Sequence, residues 1–528
     1  MKAFAALLDR LTLTPARTAK LRLLEGYFTA APDPDRGWAL AALTGGLDLP
    51  GVKPAMLRGL VEARVDAELF RLSYDYVGDL AETISLIWPA SGSVEAAPAL
   101  SEVIAQLSGA GRSEAPGLMA ELLDRLAPSE RYALIKLATG GLRVGAGARL
   151  ARQALADFGD CDVAEIEELW HGLTPPYADL FAWLEGRAER PAQAAAAPFR
   201  PVMLAHPLEE ADLAKLDASA FAAEWKWDGI RVQAVAEAGV RRLYSRTGDD
   251  ISPAFPDLVA ALEFDGALDG ELLVIREGRV APFSDLQQRL NRKTVSAKLQ
   301  ASHPAALRAY DLLRDGPEDL RGLPFETRRA RLERFVAALG SARIDLSPLL
   351  AAGGVEDWAA ARADPPDAAI EGLMLKRRDS LYVPGRPKGP WFKWKRAPQT
   401  VDAVLMYAQR GHGKRSGYYS DYTFGVWSNG ALVPVGKAYF GFTDEELRQI
   451  DRYVRDNTVE RFGPVRAVRA EAAHGLVLEI AFEGLNRSTR HKSGVAMRFP
   501  RIARLRWDKP PAEADHLTAL QALLPAKV

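Results

Sequence analysis

The spacing of apolar residues divides this chain into a helical first part and a strand-rich remainder. Over residues 1–189, apolar side chains recur at intervals of three and four, as at Phe4, Leu7, Leu8 and Leu11, which places them on one face of a helix. Alanine, leucine, glutamate and arginine dominate this part, and proline and glycine separate its periodic stretches, as they do where helices end. The pattern predicts an all-α N-terminal domain over residues 1–189.

A different texture follows. Residues 190–207 are rich in alanine and proline and have no periodicity, so they are predicted to form a linker. Beyond them, short β-rich runs such as Arg231–Val235 and Leu268–Ile275 are separated by turn residues, and helical stretches such as Thr327–Leu339 interrupt them. The alternation predicts a mixed α/β domain, of the α+β kind, over residues 208–398.

The last part of the chain, residues 399–528, has a strand pattern. The runs Val401–Tyr407, Tyr422–Trp427 and Leu476–Phe482 are rich in β-branched and aromatic residues, and glycine-rich turns separate them. Short strands joined in this way predict a small antiparallel barrel, which is an all-β domain.

Composition agrees with a folded protein of several domains. A length of 528 residues corresponds to about three or four domains, and 48% hydrophobic with 26% charged residues is ordinary for folded chains. The single cysteine, Cys161, permits no intramolecular disulfide and no cysteine metal cluster, as expected in a reducing cytosol. Asp9 and Arg10 interrupt the short apolar stretch at residues 4–8, so we expect neither a signal peptide nor a membrane span.

The net charge of -1 conceals two basic segments. Residues 376–415 contain eleven Lys or Arg against two acids, and residues 485–509 contain eight against one. The remainder of the chain is therefore acidic. A uniformly basic nucleic-acid binder is excluded, and a polyanion is expected to bind mainly toward the C-terminal third.

The sharpest candidate for chemistry is the segment Glu224–Arg231, EWKWDGIR. Lys226 lies on a strand that runs into the turn pair Asp228-Gly229. Partial desolvation beside Trp225 and Trp227 is expected to lower the pKa of Lys226 and make a neutral amine available as a nucleophile. The alternative is a hairpin that ends in a solvated lysine.

Four further segments favour the nucleophile. They are Ser245–Gly248 (SRTG), Leu268–Leu272 (LDGEL), Glu371–Lys376 (EGLMLK) and Trp391–Lys395 (WFKWK). Each alone is more often a hairpin with a charged outer face. Together they add two carboxylates suited to a divalent metal, Glu271 and Glu371, and several cations suited to phosphate oxygens. On the WFKWK strand, Lys393 and Lys395 face the same side.

In this order the segments resemble the nucleotidyltransferase motifs of the ATP-dependent DNA ligase family, over about residues 200–510. The resemblance implies a role for each motif residue. Lys226 becomes adenylated, Glu224 reads the adenine amino group, and Tyr310 stacks on adenine. Glu271 and Glu371 work with the metal, and Glu271 also lies near the ribose. Arg231 and Arg246 lie near the ribose and phosphates, and Lys393 and Lys395 hold the α-phosphate. In the implied mechanism, Lys376 joins Lys393 and Lys395 in neutralising the charge of the phosphates. The resemblance leaves open whether Arg386 or Lys388 meets the nucleotide, and the hydroxyl of Tyr310 needs a partner.

Outside these motifs, three groups of residues extend the resemblance. Arg498, Arg501 and Lys509 resemble the element that orients the pyrophosphate of ATP. Arg487, Arg490 and Lys492 lie in a Ser/Arg/Lys-rich loop that is expected to contact DNA, with a solvated loop as the alternative. Arg143, in the glycine-rich Ala138–Gly145, resembles the DNA contact of the helical domain attached to many such ligases, with a helix–helix corner as the alternative.

The resemblance implies a helical DNA-binding domain, an adenylation domain and a C-terminal OB-fold. It implies a monomeric, cytoplasmic, nucleoid-associated bacterial enzyme that uses ATP and Mg²⁺, or Mn²⁺, to seal nicked double-stranded DNA through lysyl-AMP and DNA-adenylate. Its place in repair, replication or recombination stays open. Three alternatives remain: an RNA ligase, an mRNA-capping guanylyltransferase and a non-catalytic DNA clamp. The long helical domain is not expected in a minimal capping enzyme, and a clamp has no need for the full set of charged residues.

Overall fold

A computed structural model describes residues 1–89, 97–191, 196–213, 215–290, 292, 294–351, 353–410, 417–463, 465–489 and 491–524. The chain forms two compact units. One contains residues 1–163, 174–190 and 398–528, and the other contains residues 164–173 and 191–397. The second unit begins earlier along the chain than the predicted adenylation domain, because residues 164–173 pack within it.

Helices make up the first part of the chain, as predicted: α1 (Lys2–Leu13), α2 (Arg17–Ala30), α3 (Asp35–Thr44), α4 (Pro54–Glu62), α5 (Ala67–Val77), α6 (Leu80–Ile87), α7 (Leu100–Gly109), α8 (Ala115–Arg125), α9 (Pro128–Ala138), α10 (Ala148–Gly159), α11 (Val163–Leu169) and α12 (Ala178–Leu184). The periodic residues Phe4, Leu7, Leu8 and Leu11 are all buried on α1, because their spacing puts them on one face. No helix in the described parts of the chain combines the length and apolar character needed to cross a membrane.

The central unit contains strands β1 (His206–Pro207), β2 (Phe221–Trp227), β3 (Ile230–Glu237), β4 (Val240–Ser245), β5 (Gly266–Arg276), β6 (Arg279–Val280), β7 (Ala305–Asp315), β8 (Glu318–Asp319), β9 (Ile344–Leu346), β10 (Ile370–Arg377) and β11 (Trp391–Lys395). Its helices are α13 (Glu210–Leu213), α14 (Pro256–Ala260), α15 (Phe283–Gln287), α16 (Ala297–Ser302), α17 (Phe325–Leu339) and α18 (Val355–Ala363). The mixed α+β composition of this region is thus confirmed.

Two sheets organise these strands. The first has the order β1-β11-β10-β2, and the second has the order β4-β3-β5-β7-β8, with β6 beside β5 and β9 beside β7. Leu268, Leu272 and Leu307 are among the fully buried residues in the core of the second sheet. Because β2 and β3 belong to different sheets, Asp228-Gly229 joins the two sheets and does not close a hairpin.

The segment predicted as a linker is shorter than expected. Phe199, Val202 and Met203 are buried in the central unit, and the backbone N–H of Arg200 donates to Gln233 Oε1 over 2.6 Å. Farther along, β1 pairs in parallel with β11. The apolar side chains after residue 196 therefore pack against the second unit, although their spacing has no regular period.

The C-terminal region contains β12 (Gln399–Arg410), β13 (Tyr419–Ser428), β14 (Ala431–Ala438), α19 (Asp444–Asp456), β15 (Thr458–Phe462), β16 (Val465–Val468), β17 (Val477–Phe482), β18 (Gly484–Arg487), β19 (Val495–Arg498), β20 (Arg501–Arg506) and α20 (Leu517–Ala522). The long β12 pairs with β13 on one side and with β16 and β17 on the other. β20 pairs with β17, and Ile502 N–H donates to Phe440 O just beyond β14. The all-β prediction is confirmed, with α19 and α20 as helical additions.

Candidate active site

Lys226 lies near the end of β2, one residue before the connection between the two sheets. Gly229 makes this connection possible, because a Cβ built there would lie 2.5 Å from Leu272 O and 2.7 Å from Glu271 Cγ. Any side chain would force the turn away from β5. Lys226 on the first sheet and Glu271 on the second are thereby held close together.

Strand register puts the motif residues of β2, β10 and β11 in three rows on one face of the first sheet, since directly paired residues share a face. The rows are Lys226–Gly372–Lys395, Glu224–Met374–Lys393 and Ala222–Lys376–Trp391. Lys393 and Lys395 do share a face, as expected. The third row lies about 13 Å from the first, at four residues of about 3.3 Å each.

Glu371 reaches Lys226 because β10 is irregular at this point. The register shifts between Ile370 and Gly372, and such a bulge turns a side chain away from the regular alternation. Glu371 Oε2 lies 2.6 Å from Lys226 Nζ and 3.6 Å from Lys395 Nζ. One carboxylate thus faces two of the predicted cations.

The predicted low pKa of Lys226 is wrong. Burial does lower the pKa of the amine, but Glu371 and Glu271 together raise it further, so the net direction is upward. The carboxylates outweigh desolvation because Glu371 accepts a hydrogen bond from the ammonium group. Lys226 is therefore held as a cation until this pair is disturbed.

Glu271 lies in the middle of β5. Burial raises the pKa of Glu271 to about 8, and the negative charges of Glu371 and Asp269 also raise it. Two carboxylates that repel each other in this way are suited to a divalent cation. In the described segments of the chain no three His, Cys, Asp or Glu residues converge on a metal-sized site. Mg²⁺ commonly uses one or two carboxylates together with substrate phosphates, so Glu271 and Glu371 fit it.

A group of cations lies beside this carboxylate pair. After burial, the charges that lower the pKa of Lys393 are, in order, those of Arg386, Lys395, Lys226 and Arg246. Arg386 is thus the foremost charge acting on Lys393, and Lys388 is not among these charges. Arg246 is exposed in the turn after β4, and it also acts on Lys393. The predicted phosphate cations therefore converge, with the exception of Lys376.

Lys376 lies elsewhere, in a buried cluster with Glu224. It is 1% exposed, and its Nζ lies 2.9 Å from Glu224 Oε2. The Tyr310 ring is 4.4 Å from the same Nζ, and Arg329 Nη1 lies 3.2 Å from Glu224 Oε1. The structure thus groups Lys376 with the residues assigned to adenine and not with the phosphate cations.

Arg231 is held by protein partners on several sides. It donates to both oxygens of Asp269, over 3.0 and 2.6 Å, and to Met203 O over 2.6 Å. Tyr382 Oη also donates to Asp269 over 2.7 Å. Arg231 lies across from Glu271 on paired strands, so this network supports the strand that carries Glu271.

Comparisons with known proteins agree with this arrangement. Residues 202–395 match the family model described as ATP dependent DNA ligase domain, and residues 415–509 match the ATP dependent DNA ligase C terminal region. A probable DNA ligase of Koribacter versatilis (strain Ellin345) is 33% identical over 98% of this chain and 95% of its own. The chain belongs to the ATP-dependent DNA ligase family.

Further relatives support this assignment. A probable DNA ligase of Anaeromyxobacter dehalogenans (strain 2CP-1) is 33% identical over 97% of this chain and 96% of its own. The solved structure Pmar-Lig_PreS3 is 16% identical, has a TM-score of 0.60 and covers 95% of this chain and 99% of its own. At that identity, the match to the solved structure concerns the fold only.

The C-terminal motif residues of this ligase are spread along β20. Arg501 begins the strand and Lys509 follows its end, and a strand of this length spans about 17 Å. Lys509 Nζ lies 2.8 Å from Asp402 Oδ2, and Arg506 Nη1 lies 3.0 Å from the same atom. Arg498 ends β19, just before the turn that leads to Arg501. The structure therefore does not bring Arg501 and Lys509 together.

Of the predicted DNA contacts of the ligase, Arg487 is the last residue of β18, and Lys492 and Arg143 lie between elements. Arg487 and Lys492 are exposed, and Ser488 N–H donates to Gly494 O across the base of their loop. Arg490 lies outside the described residues. Arg143 is exposed between α9 and α10, and Lys20 Nζ donates to the neighbouring Val144 O over 2.9 Å, which fixes that loop to α2.

Several contacts of the ligase site were not predicted from the sequence. Arg329 follows another arginine on α17 and has no motif of its own, so only the fold reveals its contact with Glu224. Asp402 had a signal that could have been used. It is one of two acids among eleven basic residues at 376–415, and it pairs with Lys509 and Arg506.

Proposed function

We propose that this enzyme uses ATP to seal nicks in double-stranded DNA, with Lys226 as the residue that carries AMP. One observation supports this above the rest. Lys226 lies where two sheets meet, between the carboxylates Glu371 and Glu271 and beside the cations Lys393 and Lys395. A nucleophile, two carboxylates and clustered cations are the groups that phosphoryl chemistry requires.

The first step is transfer of AMP to Lys226. The Lys226 amine must first lose the proton that the ion pair with Glu371 retains. Mg²⁺ held by Glu271 and Glu371 would neutralise phosphate charge, as metal ions do in such sites. Once Glu371 no longer accepts from the ammonium, the nearby cations favour the neutral amine. The amine then attacks the α-phosphorus, a P–N bond forms, and the bond to pyrophosphate breaks.

Two further transfers complete sealing. The 5'-phosphate of the nick attacks lysyl-AMP, which forms DNA-adenylate and frees the Lys226 amine. The neighbouring 3'-hydroxyl then attacks the same 5'-phosphorus, and AMP leaves. Lys393, Lys395 and Arg386 would neutralise the phosphate oxygens in each step. Arg246 and Arg231 would lie toward the ribose and phosphates, and Tyr310 and Glu224 toward the base.

The remaining parts have supporting roles in this proposal. Residues 399–528 would form an OB-fold whose Arg498, Arg501 and Lys509 orient pyrophosphate during adenylation. Because Lys509 pairs with Asp402, the role requires this contact to be exchanged for phosphate. Arg143, Arg487, Arg490 and Lys492 would contact the DNA backbone. We place the enzyme in the cytoplasm as a monomer bound to nicked duplex DNA.

Two observations disfavour the alternatives. The curated relatives that match nearly the whole chain, its helical part included, are named DNA ligases, which disfavours a minimal capping enzyme. A clamp without chemistry would not need the carboxylates beside Lys226. A sealing assay with nicked RNA in parallel with nicked DNA distinguishes a DNA ligase from the RNA ligase alternative.

The test is formation of the covalent adduct with labelled ATP. Lys226→Ala should abolish the adduct and leave binding of nicked DNA within about twofold. Lys226→Arg should also fail, because a guanidinium with a pKa above about 12 does not supply a neutral amine. Lys298→Ala changes an exposed lysine on α16 and should retain the adduct. An adduct that persists in Lys226→Ala would reject the assignment.

A further inference from the structure

The buried cluster around Lys376 joins the two residues assigned to adenine. Lys376 Nζ lies 2.9 Å from Glu224 Oε2 and 4.4 Å from the centre of the Tyr310 ring, and it lies 3.3 Å from Tyr310 O. The rings of Trp391 and Phe325 lie 4.6 and 5.0 Å from the same nitrogen. A single ammonium group is therefore enclosed by three rings and one carboxylate.

This position sets Lys376 apart from the nucleophile. Its row on the sheet is about 13 Å from the row of Lys226 and Lys395, and about 7 Å from the row of Glu224 and Lys393. At 1% exposure, a lysine is rarely tolerated unless it is paired. Its contacts point to Glu224, which is also 1% exposed.

We propose that Lys376 is a positioning residue that orients Glu224 and favours its ionised form, and that it thereby sets the preference for ATP over other purine nucleoside triphosphates. The inference rests on the proposed function, because it concerns the nucleotide that Lys226 accepts. Arg329 assists from the other side, through Glu224 Oε1.

The chemistry of the purine explains why an ionised Glu224 is selective. A carboxylate accepts hydrogen bonds only, so it matches the 6-amino group of adenine and repels the 6-oxo group of guanine. A protonated carboxyl group could donate to that oxo group. Each carboxylate oxygen can accept about two hydrogen bonds, so the contacts with Lys376 and Arg329 leave capacity for the amino group.

Burial acts against the ionised form. It raises the pKa of Glu224, and Asp311 on β7 adds to this effect. Lys376 and then Arg329 lower the pKa, but they offset burial only in part, and the net direction is upward. These charged groups face Glu224 from β10, α17 and β7. Removal of Lys376 leaves burial and Asp311 opposed by Arg329 alone, and it removes the donor that orients Oε2.

The test compares nucleotides in the first step. The value of kcat/KM for formation of the Lys226 adduct is measured with ATP, with GTP and with purine riboside triphosphate. The last of these nucleotides has hydrogen at position 6 of the purine. Lys376→Met should reduce the ratio of ATP to purine riboside triphosphate about tenfold or more, because a hydrogen bond to a charged group is lost. It should also reduce the ratio of ATP to GTP. Lys298→Met should leave both ratios unchanged.

A double-mutant cycle separates positioning from a general structural effect. If Lys376 acts through Glu224, Glu224→Gln and Glu224→Gln/Lys376→Met should have the same ATP to purine riboside triphosphate ratio. The double variant also removes both buried charges, so it remains informative if Lys376→Met does not fold. Lys376→Arg keeps a cation and should retain more of the ratio than Lys376→Met.

The outcomes distinguish the two proposals. A wild-type enzyme that forms no adduct with ATP would reject the proposed function. A wild-type enzyme that forms the adduct, together with a folded Lys376→Met variant of unchanged ratio, would reject only the role of Lys376. A further loss of the ratio when Lys376→Met is added to Glu224→Gln would show that Lys376 does not act through Glu224.

Discussion

At the scale of single residues, glycines determine how closely the strands that carry the charged groups approach each other. A Cβ at Gly270 would lie 2.8 Å from Arg308 O, and one at Gly372 would lie 2.3 Å from Trp394 O. Gly372 also has φ +150°, which other residues rarely adopt. The glycines next to Glu271 and Glu371 are therefore required, because the neighbouring strand leaves no room for a side chain at either position.

Gly229→Ala tests this point at the junction of the sheets. The new Cβ would meet Leu272 O and Glu271 Cγ, so the turn must shift and move Lys226 relative to Glu271. We expect adduct formation to slow by up to about 100-fold, because such displacements are costly in catalysis. Gly322→Ala is the control, since a Cβ there meets nothing within 4 Å. Equal rates in the two variants would contradict the steric role.

Arg386 and Lys388 offer a second test at this scale. The charge of Arg386 stands first among those acting on Lys393, and Lys388, on the following turn, is not among them. Arg386→Ala should lower kcat/KM for adduct formation about tenfold, as expected for one lost charged contact, and Lys388→Ala should change it less than twofold. The reverse order would assign the contact to Lys388.

The sequence indicated the candidate site residues but not the partners of their side chains. The motif at Lys226 and the four further segments together indicated the candidate nucleophile, but the predicted pKa shift considered Trp225 and Trp227 alone. The carboxylates that reverse the shift lie 45 and 145 positions away, and only the pairing of β10 with β2 brings Glu371 to Lys226. Long-range contacts of this kind leave no local pattern.

At the scale of elements, strands were predictable and their assignment to sheets was not. Arg231–Val235 and Leu268–Ile275 fall within β3 and β5, because β-branched and apolar residues favour strands. The turn Asp228-Gly229 suggests a hairpin, yet its two strands pair with β10 and with β5. Apolar patterns specify which face of a strand is buried but not which strand lies beside it.

The helical part permits a test of one element junction. Asp79 caps α6 by accepting from Glu82 N–H, and it lies 2.6 Å from Lys136 Nζ on α9. Asp79→Asn keeps a cap and loses the ion pair, so we expect a loss of about 1 kcal/mol in stability. Asp79→Ala loses both the cap and the ion pair, so we expect its stability to fall by about 1 kcal/mol more than that of Asp79→Asn. Thermal unfolding measures the stability of each variant relative to wild type. The control is Asp66→Asn, at the exposed cap of α5, which should lower the stability less than Asp79→Asn does.

The ion pair between Asp79 and Lys136 also predicts how the stability difference between wild type and Asp79→Asn depends on pH. Hydrogen bonds and the charge of Lys136 outweigh burial and lower the pKa of Asp79 below 3.8. A group with a lowered pKa in the folded state stabilises above its unfolded value and loses this effect as the pH falls. The gap between wild type and Asp79→Asn should therefore be full at pH 7, begin to narrow near pH 4, about the pKa of an unfolded aspartate, and close only below the lowered pKa of Asp79 in the folded state. A gap that stays constant as the pH falls through this range would exclude the ion pair as its cause.

At the scale of the whole molecule, the distribution of charge is more informative than its sum. The net charge of -1 divides into two basic segments and an acidic remainder. The first segment, 376–415, supplies Arg386, Lys393 and Lys395 to the nucleotide site. The second, 485–509, supplies Arg487 and Lys492, which are exposed. In the proposed function, Arg487 and Lys492 serve DNA binding and are separate from Arg386, Lys393 and Lys395, which serve the chemistry. Arg498, Arg501 and Lys509, also in the second segment, orient pyrophosphate.

Salt dependence provides the test of this separation. Each phosphate contact contributes about -0.9 to the slope of log K against log salt. Arg487→Ala/Lys492→Ala should weaken binding to nicked DNA and reduce the magnitude of the slope by roughly two, and Arg143→Ala by roughly one. Adduct formation, which needs no DNA, should stay within twofold of wild type. Arg334→Ala, an exposed arginine on α17 outside both segments, should leave the slope unchanged. An unaltered slope in the double variant, measured by titration at several salt concentrations, would remove the second segment from the DNA interface.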